Sequence, residues 1–300
     1  MSWQLTALEI WLRFVEKPYL AWETDLGRAR ARLERAAARL PPPPGTRMAR
    51  RPLGALPATR IAGPEGATLL WLHGGAYCLG SAATHAAMVA HLARRIGARA
   101  VLPEYRLAPE HPFPAAPEDA RAAYAALLAE GVAPERIVLG GDSAGGGLVF
   151  ALLAALRAAG LPSPACALAF SPWVDLTLSQ PSLGALAARE ALLPARRVRE
   201  IRDLYLAGAD PGDPRASPLF ADLRGAPPVL IQASEAEILR DDARALAAAL
   251  AAQGVDVALE LWPDTPHVWQ LYQRRLPEAE AALDHAARFA RARLGPQPIR

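Results

Sequence analysis

With 52% hydrophobic and 21% charged residues, a chain of 300 has ample material for a large core, which excludes a globally disordered protein. The net charge is +3 and the pI about 9.1, with Lys17 the sole lysine and the arginines scattered among acids. That distribution excludes the clustered basic stripe of a nucleic-acid binder. No apolar run approaches the roughly 18 residues of a membrane span, so no stable membrane insertion is expected. Glu9 and Arg13 interrupt the N-terminal apolar pattern, so no signal peptide is expected and the reading is a cytoplasmic protein.

In chain order, Trp3, Ala7, Ile10, Trp11 and Phe14 fall three or four apart and predict a helix over 3–17, stopped by Pro18. A second helix is predicted over 24–40, with Thr24 as N-cap, and the proline run 41–45 makes a stiff connector. Strand and helix then alternate: strands near 67–73, 98–103, 136–139, 165–170, 229–233 and 255–261, and helices near 84–96, 117–130, 146–159, 240–253 and 277–294. Such alternation predicts an α/β fold with a mostly parallel sheet covered on both faces and a site beyond the strands' carboxyl ends. The helical run 183–209 is not followed directly by a strand and reads as an insertion above that edge. The division expected is an N-terminal helical cap over 1–45 and a catalytic domain over 46–300 that carries the insertion. Cys78 and Cys166 form neither a disulfide framework nor a metal spacing and read as core residues; no cofactor and no metal are expected.

The stretch around which the chain is organised is Arg136–Gly147. Its Gly141-Asp142-Ser143-Ala144-Gly145 fits G-x-S-x-G, a serine at a sharp strand-to-helix turn where any side chain two places away would clash. Directly after the first Leu-rich strand comes His73-Gly74-Gly75-Ala76. Glycines there let backbone N–H groups approach a developing oxyanion, and losing one such donor typically costs about 2.7–4 kcal/mol. Gly74, Gly75 and the amide of Ala144 are the candidate donors, with His73 a loop-shaping hydrogen bonder. The proline-rich loop Glu104–Pro114 reads as a rigid support locked by ion pairs of Arg106, Glu110 and His111; His111 is a poor candidate for a base.

Taken together, His-Gly-Gly-Ala at 73–76, Tyr-Arg-Leu-Ala-Pro-Glu at 105–110, Gly-Asp-Ser-Ala-Gly-Gly at 141–146 and Ser-Pro-Trp-Val-Asp at 171–175 resemble the hormone-sensitive lipase family of bacterial carboxylesterases. The motifs run in the family's order from 73 to 267. The resemblance implies an α/β-hydrolase fold with a helical cap, metal-free hydrolysis of esters with short to medium acyl chains, and a homodimer formed through the edge of the last strand. In this fold the acid and then the histidine follow the serine. Four carboxylates compete near the strand end at 229–233: Glu235, Glu237, Asp241 and Asp242. The family pattern selects Glu237, with Glu235 as runner-up, and leaves Asp241 and Asp242 to charge the start of the next helix. Ser234 stands where relatives often have glycine. His267, in the proline-bounded loop Trp262–Trp269, is the histidine placed to act as base, since His285 lies mid-helix.

The expected function is therefore a serine carboxylesterase acting on a small-molecule ester and water, with Ser143 as nucleophile. Trp3, Trp11, Phe14 and residues near 184–208 are expected to wall the pocket. The rivals are a hydrolase-fold binding protein without turnover and an amidase or peptidase of the same fold.

Overall fold

Apolar runs flanked by glycine or proline form the centre of the molecule because they can be buried on both faces. In the computed structural model, which describes residues 2–295, eight strands form one sheet in the order β1-β2-β4-β3-β5-β6-β7-β8. They are β1 (Met48–Arg50), β2 (Ala58–Ile61), β3 (Thr68–Leu72), β4 (Arg99–Pro103), β5 (Ile137–Asp142), β6 (Cys166–Phe170), β7 (Val229–Ser234) and β8 (Val257–Trp262). From β4 through β8 neighbours are parallel, whereas β2 runs antiparallel to β4 and β1 antiparallel to β2. Every residue of β3, β5, β6 and β7 is buried. The short antiparallel pair at one edge falls outside the predicted pattern: β1 is exposed throughout and too brief for a periodic signal.

One face of the sheet carries α5 (Ala115–Ala129), α6 (Ala144–Ala158) and α9 (Arg240–Ala252), and the other α4 (Ala82–Ile96) and α10 (Pro277–Arg293). Cys78 and Cys166 are free thiols inside the core, each pushed up to about 12 by burial.

At the N-terminus, α1 (Trp3–Trp11) does not stop at Pro18. It passes through a π-helical stretch, Leu12–Glu16, into α2 (Lys17–Trp22). The Lys17 N–H reaches back five residues to Leu12, and this register change accommodates a proline, which has no N–H of its own to place. The next helix, α3 (Leu26–Ala37), is capped by Asp25 rather than Thr24, the Asp25 carboxylate accepting from the Arg28 N–H at 3.0 Å. Leu5 of α1 packs with Trp269, Leu276 and Ala279 near the start of α10.

Between β6 and β7 lies a long excursion that holds α7 (Ser182–Ala185) and α8 (Ala195–Leu206). Lys17 Nζ donates to the carbonyls of Ala187 (2.9 Å) and Glu190 (2.7 Å), and Arg13 donates to those of Ala188 (2.6 Å) and Arg189 (2.7 Å). The N-terminal helices thus grip the excursion by its backbone. Among the described residues no helix is long and apolar enough to cross a membrane.

Candidate active site

Ser143 sits at the turn from β5 into α6 with φ 53° and ψ −122°, a conformation rarely adopted by a residue with a side chain. The turn is so tight that its flanking glycines leave no room for a side chain. A Cβ on Gly145 would lie 2.0 Å from the Leu72 carbonyl oxygen and 2.5 Å from that of His73, and one on Gly141 would lie 2.4 Å from the Gly145 oxygen. Two hydrogen bonds pin the strained residue to the sheet: its N–H donates to Phe170 O (2.8 Å) and its carbonyl accepts from Trp173 N (2.9 Å).

Beyond β3 the chain turns sharply at Gly75 (φ 122°), and Ala76 and Tyr77 continue with positive φ of 53° and 61°. A Cβ on Gly74 would meet Asp142 Oδ2 at 2.2 Å, so this loop lies directly against the residue preceding Ser143. Asp142 accepts from Trp71 Nε1 (2.9 Å) and pairs with His85 Nε2 (3.1 Å). Burial works against both charges, yet the pairing prevails, holding Asp142 below and His85 above their ordinary values. His73 faces its own loop: Nδ1 lies 2.8 Å from Gly74 O, and the ring stacks on Tyr105 at 4.2 Å. Burial pushes it down to about 3, so it is neutral at physiological pH. Among the described residues the N–H groups of Gly74, Gly75 and Ala144 have no hydrogen-bonded acceptor.

At the end of β7 the four competing carboxylates separate by geometry. Glu237 is buried, its Oε2 2.6 Å from His267 Nδ1 and its Oε1 accepting from the Ser234 N–H at 2.7 Å. Glu235 instead pairs with Arg244 at 3.1 Å, and Asp241 pairs with Arg240 at 2.9 Å. Asp242 does lie in the first turn of α9, but its carboxylate reaches across to accept from Val174 N (3.1 Å) and Asp175 N (3.0 Å). Ser234 links the two loops, accepting from Ala236 N (3.0 Å) and donating to Thr265 O (2.5 Å). Val268 N donates to Ser171 Oγ (3.3 Å), which ties the histidine loop to the residue after Phe170, the anchor of Ser143. For His267, burial disfavours the cation but is outweighed by the hydrogen bond and charge of Glu237, with Glu190 and Asp142 adding to it; the imidazole is held above its ordinary 6.5.

Ser143 opens onto a cavity of about 120 Å³ walled by Leu20, Leu26, Leu79, Leu193, Val198 and Ile201. The N-terminal helices do contribute to this wall, but through Leu20, Glu23, Leu26 and Ala29. Trp3 and Trp11 line a separate groove, and Phe14 points to solvent. The periodicity of 3–17 identified an apolar face, but not which end of the helical pair reaches the serine. The excursion between β6 and β7 supplies Leu193, Pro194, Val198 and Ile201, within the span 184–208. The loop 104–114 is locked from outside: Arg106 pairs with Asp119 (2.8 Å) and Glu110 with Arg30 of α3 (2.7 Å), which holds Glu110 down to about 2. His111 takes part in neither pair.

A serine on a strained strand-to-helix turn packed against a glycine loop, with a buried acid–imidazole pair at the carboxyl edge of the same parallel sheet, defines an α/β-hydrolase, and residues 69–271 match the family model for that fold. An acetyl-hydrolase of Streptomyces hygroscopicus is 48% identical over 236 residues, 79% of each chain. An esterase of Acinetobacter venetianus is 38% identical over 220 residues, 73% of each. The crystal structure of an esterase from the bacterial hormone-sensitive lipase family superposes with a TM-score of 0.93 at 42% identity, over 98% of this chain and 99% of that one. The chain belongs to the bacterial hormone-sensitive lipase family of carboxylic ester hydrolases.

Proposed function

We propose that the chain hydrolyses short- to medium-chain carboxylic esters through an acyl-enzyme on Ser143, with residues 1–45 and the insertion 183–209 forming a cap over the site. His267 Nε2 takes the Ser143 proton as Oγ attacks the ester carbonyl, and Glu237 holds the imidazole tautomer and stabilises its cation. The N–H groups of Gly74, Gly75 and Ala144 receive the oxyanion. His267 returns the proton to the departing alcohol, then deprotonates a water whose attack releases the acid and frees Ser143.

The observation that carries this reading is the buried 2.6 Å contact of His267 Nδ1 with Glu237, which leaves Nε2 as the nitrogen available to a serine. The cavity supports the chain length: an apolar cavity of about 150 Å³ takes a benzene, and the space over Ser143 is about 120 Å³. Room for a few carbons favours acetyl to hexanoyl esters. Crystals of EstE5, a protein 37% identical with a TM-score of 0.94, were soaked with p-nitrophenyl butyrate, an ester of that size. A fluorophosphonate followed by peptide mass spectrometry tests the proposal. Labelling at Ser143, abolished together with ester turnover in Ser143→Ala, is expected; turnover retained by that variant would mean another nucleophile.

A further inference from the structure

Glu190 is a fully buried carboxylate that this mechanism does not use, and its surroundings give it a task. It sits in the excursion between β6 and β7, five residues before α8 begins at Ala195, and its Oε1 accepts from Leu192 N (2.8 Å) and Leu193 N (3.2 Å). Its Oε2 accepts from the N–H of Ile238, the residue after Glu237, at 3.0 Å. A second side chain of the excursion completes the grip: Ser182 Oγ donates to Ile238 O (2.7 Å) and accepts from Asp241 N (3.1 Å). Arg189 pairs with Asp264, three residues before His267. The 187–190 backbone is itself clamped by Arg13 and Lys17 through four carbonyls. A bracket therefore runs from the N-terminal helices through Arg189 and Glu190 to the two loops that carry His267 and Glu237.

We infer that Glu190 is a positioning residue for the ester hydrolysis, fixing the peptide that follows Glu237 and standing as a second carboxylate near His267; this rests on the triad proposed above. A buried acid bonded to three N–H groups is held as an acceptor and cannot swing away without leaving donors unsatisfied. The charges facing it come from several elements: His267 and Glu237 at the sheet edge, Lys17 and Glu9 from the N-terminal helices. Those facing His267 are Glu237, Glu190 and, from β5, Asp142. Burial pushes Glu190 up while the imidazole draws it back, and Glu190 in turn helps hold His267 up.

The test is Glu190→Gln, which keeps the shape but removes the charge and sets an amide NH₂ against a backbone donor. Sites are counted by fluorophosphonate titration, so that kcat is per competent molecule. The expected result is a loss of about tenfold in kcat, KM within about twofold because Glu190 does not line the cavity, and an acid limb displaced to lower pH. Glu190→Asp, which keeps the charge, should return the limb to its wild-type position. An unmoved limb in Glu190→Gln, or an unchanged kcat, overturns the inference. If the glutamine variant yields no competent sites, Arg13→Gln and Lys17→Gln decide, since neither side chain is in the core. Each should lower kcat a few-fold with KM unchanged by loosening the bracket, and an unaffected kcat in both would overturn the inference. Wild-type enzyme that turns over ester without labelling at Ser143 would instead overturn the triad.

Discussion

Gly145→Ala places one methyl group against two backbone carbonyls, and its effect can be worked from the structure. The added Cβ would lie 2.0 Å from Leu72 O and 2.5 Å from His73 O, against the roughly 3.5 Å at which nonbonded heavy atoms settle. Neither obstacle is a flexible side chain, so relief requires the end of β3 and the start of α6 to move apart by about 1.5 Å. That motion separates Ser143 and Ala144 on one side from Gly74 and Gly75 on the other. Overpacking of this kind typically destabilises by about 1–3 kcal/mol, and a misplacement of about an ångström in a catalytic constellation can cost about 10²-fold in rate. The expected outcome is a kcat for p-nitrophenyl butyrate reduced at least 10²-fold, with a Tm lowered by several degrees. Gly184→Ala is the control: an added Cβ in α7 meets nothing within 4 Å, and both quantities should stay near wild type. A Gly145→Ala enzyme within threefold of wild-type kcat would refute the argument that the Ser143 turn and the glycine loop are held in register by this contact.

Exchanging Glu237 for Gln should reduce kcat by about 10³–10⁴-fold, since the amide supports the wrong imidazole tautomer. Glu235→Gln, which loses only a partly exposed pairing with Arg244, should stay within about twofold; steady-state kinetics on both variants would expose a reversed assignment. The pH profile follows from the sign of the His267 shift: a protonated imidazole cannot accept the serine proton, and its pKa is raised above 6.5. The acid limb of kcat/KM should therefore have its midpoint above 6.5, and a flat profile from about pH 5 to 8 would argue against a histidine base.

The features legible in the sequence are those set by local sterics or by a run of one residue type. G-x-S-x-G is such a feature, because the glycines flanking Ser143 are required by carbonyls 2.0–2.4 Å from any added Cβ. The buried strands are another, since their apolar runs have few other places to go. What the sequence did not disclose depends on which surfaces meet. Leu20 and Leu26 reach the cavity only because the helix runs on past Pro18 and then turns back. Arg30 finds Glu110 across 80 positions of chain. Glu190 has no motif at all; its one local signal is a lone carboxylate between Arg189 and the apolar Ala191-Leu192-Leu193, which a charged surface turn would show equally. The choice of Glu237 over Glu235 needed a family pattern because both follow the same strand end, and only the position of His267 separates them.

The excursion between β6 and β7 serves two purposes with adjacent residues, and this has a kinetic consequence. Leu193 walls the cavity over Ser143, and its N–H is also one of the donors that hold Glu190. An acyl chain long enough to displace Leu193 must therefore disturb the carboxylate that grips the peptide after Glu237. Were the wall independent of the acid, chains too long for the cavity would bind less well, raising KM at constant kcat. With wall and acid coupled, longer chains should also lower kcat, because the misplaced Glu237 holds the imidazole less well in the transition state. A series of p-nitrophenyl esters from acetate to decanoate, each assayed for kcat and KM separately, distinguishes the two. A kcat that falls once the acyl group outgrows the 120 Å³ cavity is expected, whereas a constant kcat with rising KM would show that the wall yields without moving Glu190.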